Sequence, residues 1–94
     1  MAKRLVFSTK AYADIGNIIE FNNKRNKSDT YSKKFIRNLN GKLKILIKHP
    51  FIGRSTDIPN ILLLIWDKYY IFYSISEHVI EITSVYHQRE NAPL

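Results

Sequence analysis

The sequence predicts an α+β domain in the order β-α-α-β-β-β, a two-helix hairpin packed on one face of a mostly antiparallel four-stranded sheet. Three observations lead there. Residues 68–89, KYYIFYSISEHVIEITSVYHQR, hold two period-two runs joined by a short polar turn. Ahead of them, two successive segments repeat apolar residues at spacings of three and four, the helical signal. Between lies a short apolar run, Ile61 to Trp66, of strand length and bounded by turn residues. Two consecutive helices cannot sit inside a sheet, so they cover one face. The other face is left as a platform for RNA or for a protein segment.

The elements follow in order. Arg4-Leu5-Val6-Phe7-Ser8 is a strand, and Ser8 or Thr9 caps the first helix by accepting a free first-turn N–H. On that helix Tyr12, Ile15, Ile19 and Asn22 share one side, flanked by Ala11 and Ile18. Gly16 inside it costs up to about 1 kcal/mol against Ala and marks a close packing contact. Asn22 to Lys27 is polar and basic and reads as a helix end and loop. Ser28 or Asp29 opens the second helix, whose apolar positions are Tyr31, Phe35, Leu39, Leu43, Leu46 and Ile47. Its other side carries Lys33, Lys34, Arg37, Lys44 and Lys48, and Pro50 stops it at His49. Residues 51–60 form a loop punctuated by Gly53 and Pro59. Ile61 to Trp66 is then a strand buried on both faces, and Asp67-Lys68 is a tight reversal into the strand Tyr69–Ile75. After the turn Ser76-Glu77-His78, Ile80, Ile82, Ser84 and Tyr86 alternate with Glu81, Thr83, Val85 and His87. The tail Asn91 to Leu94 reads as irregular.

Ninety-four residues make one domain near the lower end of the usual size range. A chain this short buries only about 60–65% of its unfolded surface, so stability is modest or shared with a partner. With no cysteine, disulfide scaffolds, thiolate zinc sites and cysteine nucleophiles are excluded. A net charge of +7 on so small a domain favours a polyanionic partner: RNA, DNA or an acidic protein segment. The start MAKRLVFS has no apolar signal-peptide region, and the longest apolar run is far short of the roughly 18 residues of a membrane span. A soluble cytoplasmic protein is expected.

The chemistry-bearing residues are few. His49 precedes Pro50 at a helix end, where a cation meets the helix dipole favourably. His78 lies in a turn. His87 closes the last strand, in register with Glu81, Thr83 and Val85 and therefore expected on the less apolar face with Arg89. A His/Arg pair at a strand end suits general acid–base work and charge stabilisation, although both are also ordinary surface residues. Arg54, on the compact loop after Pro50, suits a phosphate or carboxylate through its planar fork. Tyr69, Tyr70, Tyr73 and Tyr86 can stack on bases, and at least two of them are expected to be core. No metal-ligand spacing and no phosphate-loop or nucleophile-elbow motif is present, so neither metal nor cofactor is expected.

Taken together, several pieces of the chain resemble the RelE/ParE superfamily of toxins from bacterial toxin–antitoxin modules, including plasmid stabilisation proteins. They are the opening strand with Phe7-Ser8, the helix with Ala11, Ala13, Asp14 and Ile15, and the second helix with Phe35 and Leu39. The loop HPFIGR at 49–54, the strand Tyr70 to Tyr73 and the close Val85-Tyr86-His87-Gln88-Arg89 complete the set. The resemblance implies the RelE/ParE fold over nearly the whole chain and a toxin in a hetero-oligomer with an acidic, partly disordered antitoxin. The His-x-Arg ending is similar to the ParE-like close, which implies binding to DNA gyrase rather than cleavage. The alternatives are a RelE-like ribosome-dependent mRNA endonuclease, with His87, Arg89 and Tyr86 as its catalytic set, and an inactive member that only binds antitoxin. Many family members carry an Arg about where Leu62 stands here, and this departure weakens the nuclease reading. The expected binding residues are Arg54, Lys68, Lys33, Arg37 and Lys44.

Overall fold

The computed structural model describes residues 3–90; the tail from Asn91 lies outside the described residues. Strand β1 (Arg4–Phe7) leads into helix α1 (Thr9–Asn26) and helix α2 (Thr30–Lys48). Strands β2 (Arg54–Ser55), β3 (Ile61–Trp66), β4 (Tyr69–Ile75) and β5 (Val79–His87) follow. The sheet is mostly antiparallel with order β1-β5-β4-β3-β2, and β1 runs parallel to β5. The sequence predicted four strands, and there are five. The extra one is β2, a two-residue piece of the 51–60 loop that pairs Arg54 with Leu63 and Ser55 with Leu62.

Ser8 caps α1, its hydroxyl accepting from Ala11 N–H at 3.0 Å while donating to Thr83 O at 2.8 Å. One side chain thus closes the helix start and ties it to β5. Helix α1 runs through the polar stretch expected to be loop and ends only at Asn26, with Lys27 in the left-handed region (φ 51°). Local pairs hold the extra turn, the Lys24–Glu20 ion pair and an Asn26 Nδ2 donation to Asn22 O. Across the hairpin, the buried Ser32 hydroxyl lies 2.6 Å from Asn23 Oδ1 and 3.1 Å from Ile19 O. Gly16 marks no close contact: it is exposed, and a Cβ there would meet nothing within 4 Å.

The core lies between the hairpin and one sheet face. Ala11, Ile18, Phe35, Leu39, Leu43 and Leu46 from the helices meet Leu64, Ile71, Tyr73, Ile80, Ile82 and Val85 from the sheet. Leu63 and Phe72 pair across β3 and β4 and are buried outside that cluster, under the opposite face. Strand β3 is therefore covered on both sides only at Leu63 and Leu64; Ile65 is 43% exposed, which corrects the expectation of a strand buried throughout. Tyr12 and Tyr31, placed on the apolar helix faces by their spacing, are mostly exposed. Tyr12 still packs its ring on Phe7 at 5.3 Å.

One irregularity sets the direction of the last strand. Phe72 pairs with Ser84, but Tyr73 pairs with Ile82, so Thr83 is an extra residue on β5. This is a β-bulge, and it shifts the alternation by one. Ile80 and Ile82 face the helices before it, and Val85 does so after it. Just past the bulge β5 has no strand partner on the β1 side, since β1 pairs only with Val79 to Ile82. Asp14 of α1 fills the gap by accepting Val85 N–H at 3.0 Å, and Lys10 pairs with the same carboxylate at 2.9 Å. Partial burial works against the Lys10 charge, but its bonds to Asp14 and Tyr86 outweigh that and raise its pKa. Asp14→Ala strands the Val85 N–H and is expected to cost about 2 kcal/mol. Chemical denaturation of the variant checks this; a loss within about 0.5 kcal/mol would show that the clasp is dispensable.

Candidate functional site

The bulge puts His87 where the sequence did not. Without it, His87 and Tyr86 would sit on the faces expected from simple alternation. With it, His87 pairs with Tyr69, turns to the helix-covered side and meets the Tyr69 ring edge-on at 5.4 Å. Tyr86 turns to the opposite side, edge-on to Phe72 at 5.8 Å, with Lys10 Nζ 4.3 Å from its ring centre. The two neighbours thus belong to different surfaces.

His87 lines a cleft of about 410 Å³ where the α1–α2 turn end of the hairpin overhangs the β3–β4 reversal. Phe21, Asn22 and Arg25 of α1 form one wall, Tyr31, Lys34 and Phe35 of α2 another, and Trp66 to Tyr69 with His87 the floor. A second cleft of about 370 Å³ adjoins it, sharing Phe21, Asn22, Arg25, Tyr69 and His87 and adding Ile18, Arg89 and Glu90. Phe35 braces the floor, its ring centre 5.8 Å from Trp66 and 4.8 Å from Tyr69. Burial raises the Tyr69 phenol pKa above its ordinary value, with the Asn22 hydrogen bond pulling the other way and the Asp67 charge adding to the rise. The phenol is neutral at neutral pH.

The floor is held by short-range bonds. Asp67 adopts the left-handed conformation (φ 52°) that the two-residue reversal needs. Gln88 ties the end of β5 to that turn, donating its N–H to Lys68 O at 2.8 Å and Nε2–H to Asp67 O at 3.1 Å. His87 N–H donates to Glu90 Oε1, and His87 Nδ1 accepts Arg89 N–H at 3.1 Å. In the neutral ring that bond places the proton on Nε2.

Of the expected site residues, the structure gathers Lys68, His87 and Arg89 on this pair of clefts. Tyr86 is on the other side of the sheet. Arg54 stands on the edge strand β2, exposed and opposite Leu63. Lys33, Arg37 and Lys44 are exposed on α2 and line neither cleft, and Lys33 is paired with Asp29 at 3.2 Å. Sequence reasoning missed Phe21, Arg25, Tyr31 and Lys34 as cleft residues. Phe21 and Arg25 had one available signal: with Asn17 and Asn22 they follow the i, i+4 and i+5 spacing of one helix face. Among the described residues no group of three or more His, Cys, Asp or Glu is placed to hold a metal ion, and no helix is long and apolar enough to cross a membrane.

This architecture can be set beside known proteins. A profile of the ParE toxin of the type II toxin–antitoxin system parDE matches residues 5–92. The chain belongs to the ParE toxin family. Its fold is also similar to the solved chromosomal ParDE toxin–antitoxin system from P. aeruginosa, with a TM-score of 0.75 and 17% identity. That alignment covers 92% of this chain and 96% of the other. At that identity the likeness speaks for the fold alone. No curated protein matches the sequence. For a ParE-family toxin, the combination found here is a sheet face covered by a helical hairpin, an oppositely directed Tyr86, and a basic, aromatic cleft ending at His87.

Proposed function

We propose that this ParE-family toxin arrests growth by binding a protein target, DNA gyrase, and is neutralised by a cognate antitoxin. The observation that carries the reading is the family match across residues 5–92. The divergence of neighbouring side chains on β5 supports it further: His87 and Tyr86 lie on opposite sheet faces, so the acid–base set expected of a nuclease is split. A +7 surface with exposed apolar side chains, Phe51 at 78% and Ile52 at 51%, suits an antitoxin segment that is acidic, carries apolar anchors and orders on binding. Purified toxin should inhibit supercoiling by purified gyrase in a dose-dependent way. Adding the small acidic protein encoded in the neighbouring reading frame should restore it. Undiminished supercoiling at a large molar excess of folded toxin would overturn the gyrase assignment.

A further inference from the structure

We propose that the paired clefts at the turn end of the hairpin form a nucleotide-binding site, taking one base and its phosphate, a function separate from engagement of a protein target. The argument begins with the aromatic rings. Phe21 and Tyr31 stand on facing helices at the cleft and are 57% and 58% exposed, although each is large enough to be core. Exposed rings at a cleft are stacking surfaces that accept any base.

Charge is the second observation. Arg25, Lys34 and Lys68 line the larger cleft against a single carboxylate, Asp67. Arg89 lines the adjoining one, where Glu90 is already engaged by His87 N–H. Each cation is exposed at the surface, where a phosphate can reach it.

The third observation separates a nucleotide from an acidic peptide. Asn38 lines the larger cleft and Asn17 the smaller, with Asn22 and Asn26 beside them already partly engaged, Asn22 with Tyr69 and Asn26 Nδ2 with Asn22 O. A carboxamide offers both donor and acceptor, the pattern of a base edge, whereas a carboxylate needs donors only. His87 adds a ring whose neutral form carries its proton on Nε2, since Nδ1 accepts Arg89 N–H. The larger cleft, about 410 Å³, falls within the usual range for small-molecule sites. Free nucleotides and single strands share this chemistry.

The test uses the whole chain at about 0.15 M salt, where non-specific surface attraction is screened. Fluorescein-labelled decamers of DNA and RNA are titrated by anisotropy, with ATP as an unlabelled competitor. Trp66, the chain's one Trp, lines the cleft and reports occupancy by quenching. Phe21→Ala and Tyr31→Ala should each weaken binding by about tenfold. Arg25→Glu combined with Lys34→Glu should abolish it. All four side chains are exposed, so melting temperatures should hold and separate loss of binding from loss of fold. Competition by ATP assigns the site to free nucleotides; decamer binding that resists ATP assigns it to a strand, and the two sugars distinguish DNA from RNA. Equal binding of an abasic decamer, equal binding of polyglutamate, or full affinity in both ring variants would overturn the proposal. Gyrase inhibition is measured separately, so either result stands without the other.

Discussion

Phe35→Ala will destabilise this domain by about 3–5 kcal/mol, the cost of removing a buried Phe and leaving a cavity that its neighbours cannot close. Phe35 is 5% exposed and sits against both Trp66 and Tyr69, which also approach each other, ring centre to ring centre, at 5.3 Å. These three rings are where α2 grips the β3–β4 reversal. Collapse is hindered because the indole and phenol are fixed by adjacent strand residues, Trp66 pairing with Tyr69. A domain of this size typically has about 5–15 kcal/mol of stability, so much of it goes. The melting temperature should fall by about 20 °C. Near-ultraviolet circular dichroism and Trp66 emission should show a loosened aromatic cluster below the transition. A drop under about 1 kcal/mol would mean that the cluster does not hold the hairpin to the sheet.

A comparable loss is expected at Gly53, for a different reason. Tyr73 is fully buried, and its hydroxyl donates to Pro50 O at 2.8 Å and accepts Gly53 N–H at 2.9 Å. Burial raises the pKa of this phenol, an effect that the Gly53 hydrogen bond only partly offsets. The loop after α2 is thereby pinned against the sheet. A Cβ on Gly53 would lie 2.5 Å from the Tyr73 hydroxyl oxygen and 2.8 Å from Leu63 O. Leu63 pairs with both Phe72 and Arg54, so its carbonyl cannot retreat without disturbing two ladders. Gly53→Ala is expected to cost about 3 kcal/mol, the upper end for overpacking. Adding Tyr73→Phe removes the hydroxyl contact but leaves Leu63 O and the ring carbon Cε1, 2.9 Å from the added Cβ, and should recover less than the full loss. Urea unfolding of the single and double variants measures both. Wild-type stability in Gly53→Ala would show that the loop has another place to sit.

The helices and the main strands were legible because their signals are local. The three- and four-residue spacing of Phe35, Leu39, Leu43 and Leu46 marked the buried side of α2, and all four are buried. The Ser8 cap and the stop before Pro50 also stand where their chemistry put them. Strand β2 was hidden because two residues, Arg54 and Ser55, make no pattern; only the β3 edge beside them makes a strand. The end of α1 was misplaced because Asn22 and Asn23 favour turns by themselves, while Ser32 of α2 supplies a hydrogen bond from across the hairpin.

The sequence by itself determined the order of the main elements, the apolar face of α2 and the pair of strands at the centre of the sheet; on α1 the flanking Ala11 and Ile18, not Tyr12, are the buried positions. It also marked the last strand's end as the place where Lys68, His87 and Arg89 were worth watching. Only the tertiary structure decided where those residues point. Alternation assigns faces only while pairing is regular, and one unpaired residue, Thr83, turns His87 toward the hairpin and Tyr86 away from it. A bulge depends on how two strands meet, so no single-strand pattern encodes it. The same holds for the cleft: Phe21 and Arg25, Tyr31 and Lys34, and the Trp66–Tyr69 turn are far apart in the chain and become one surface only when the hairpin closes over the sheet.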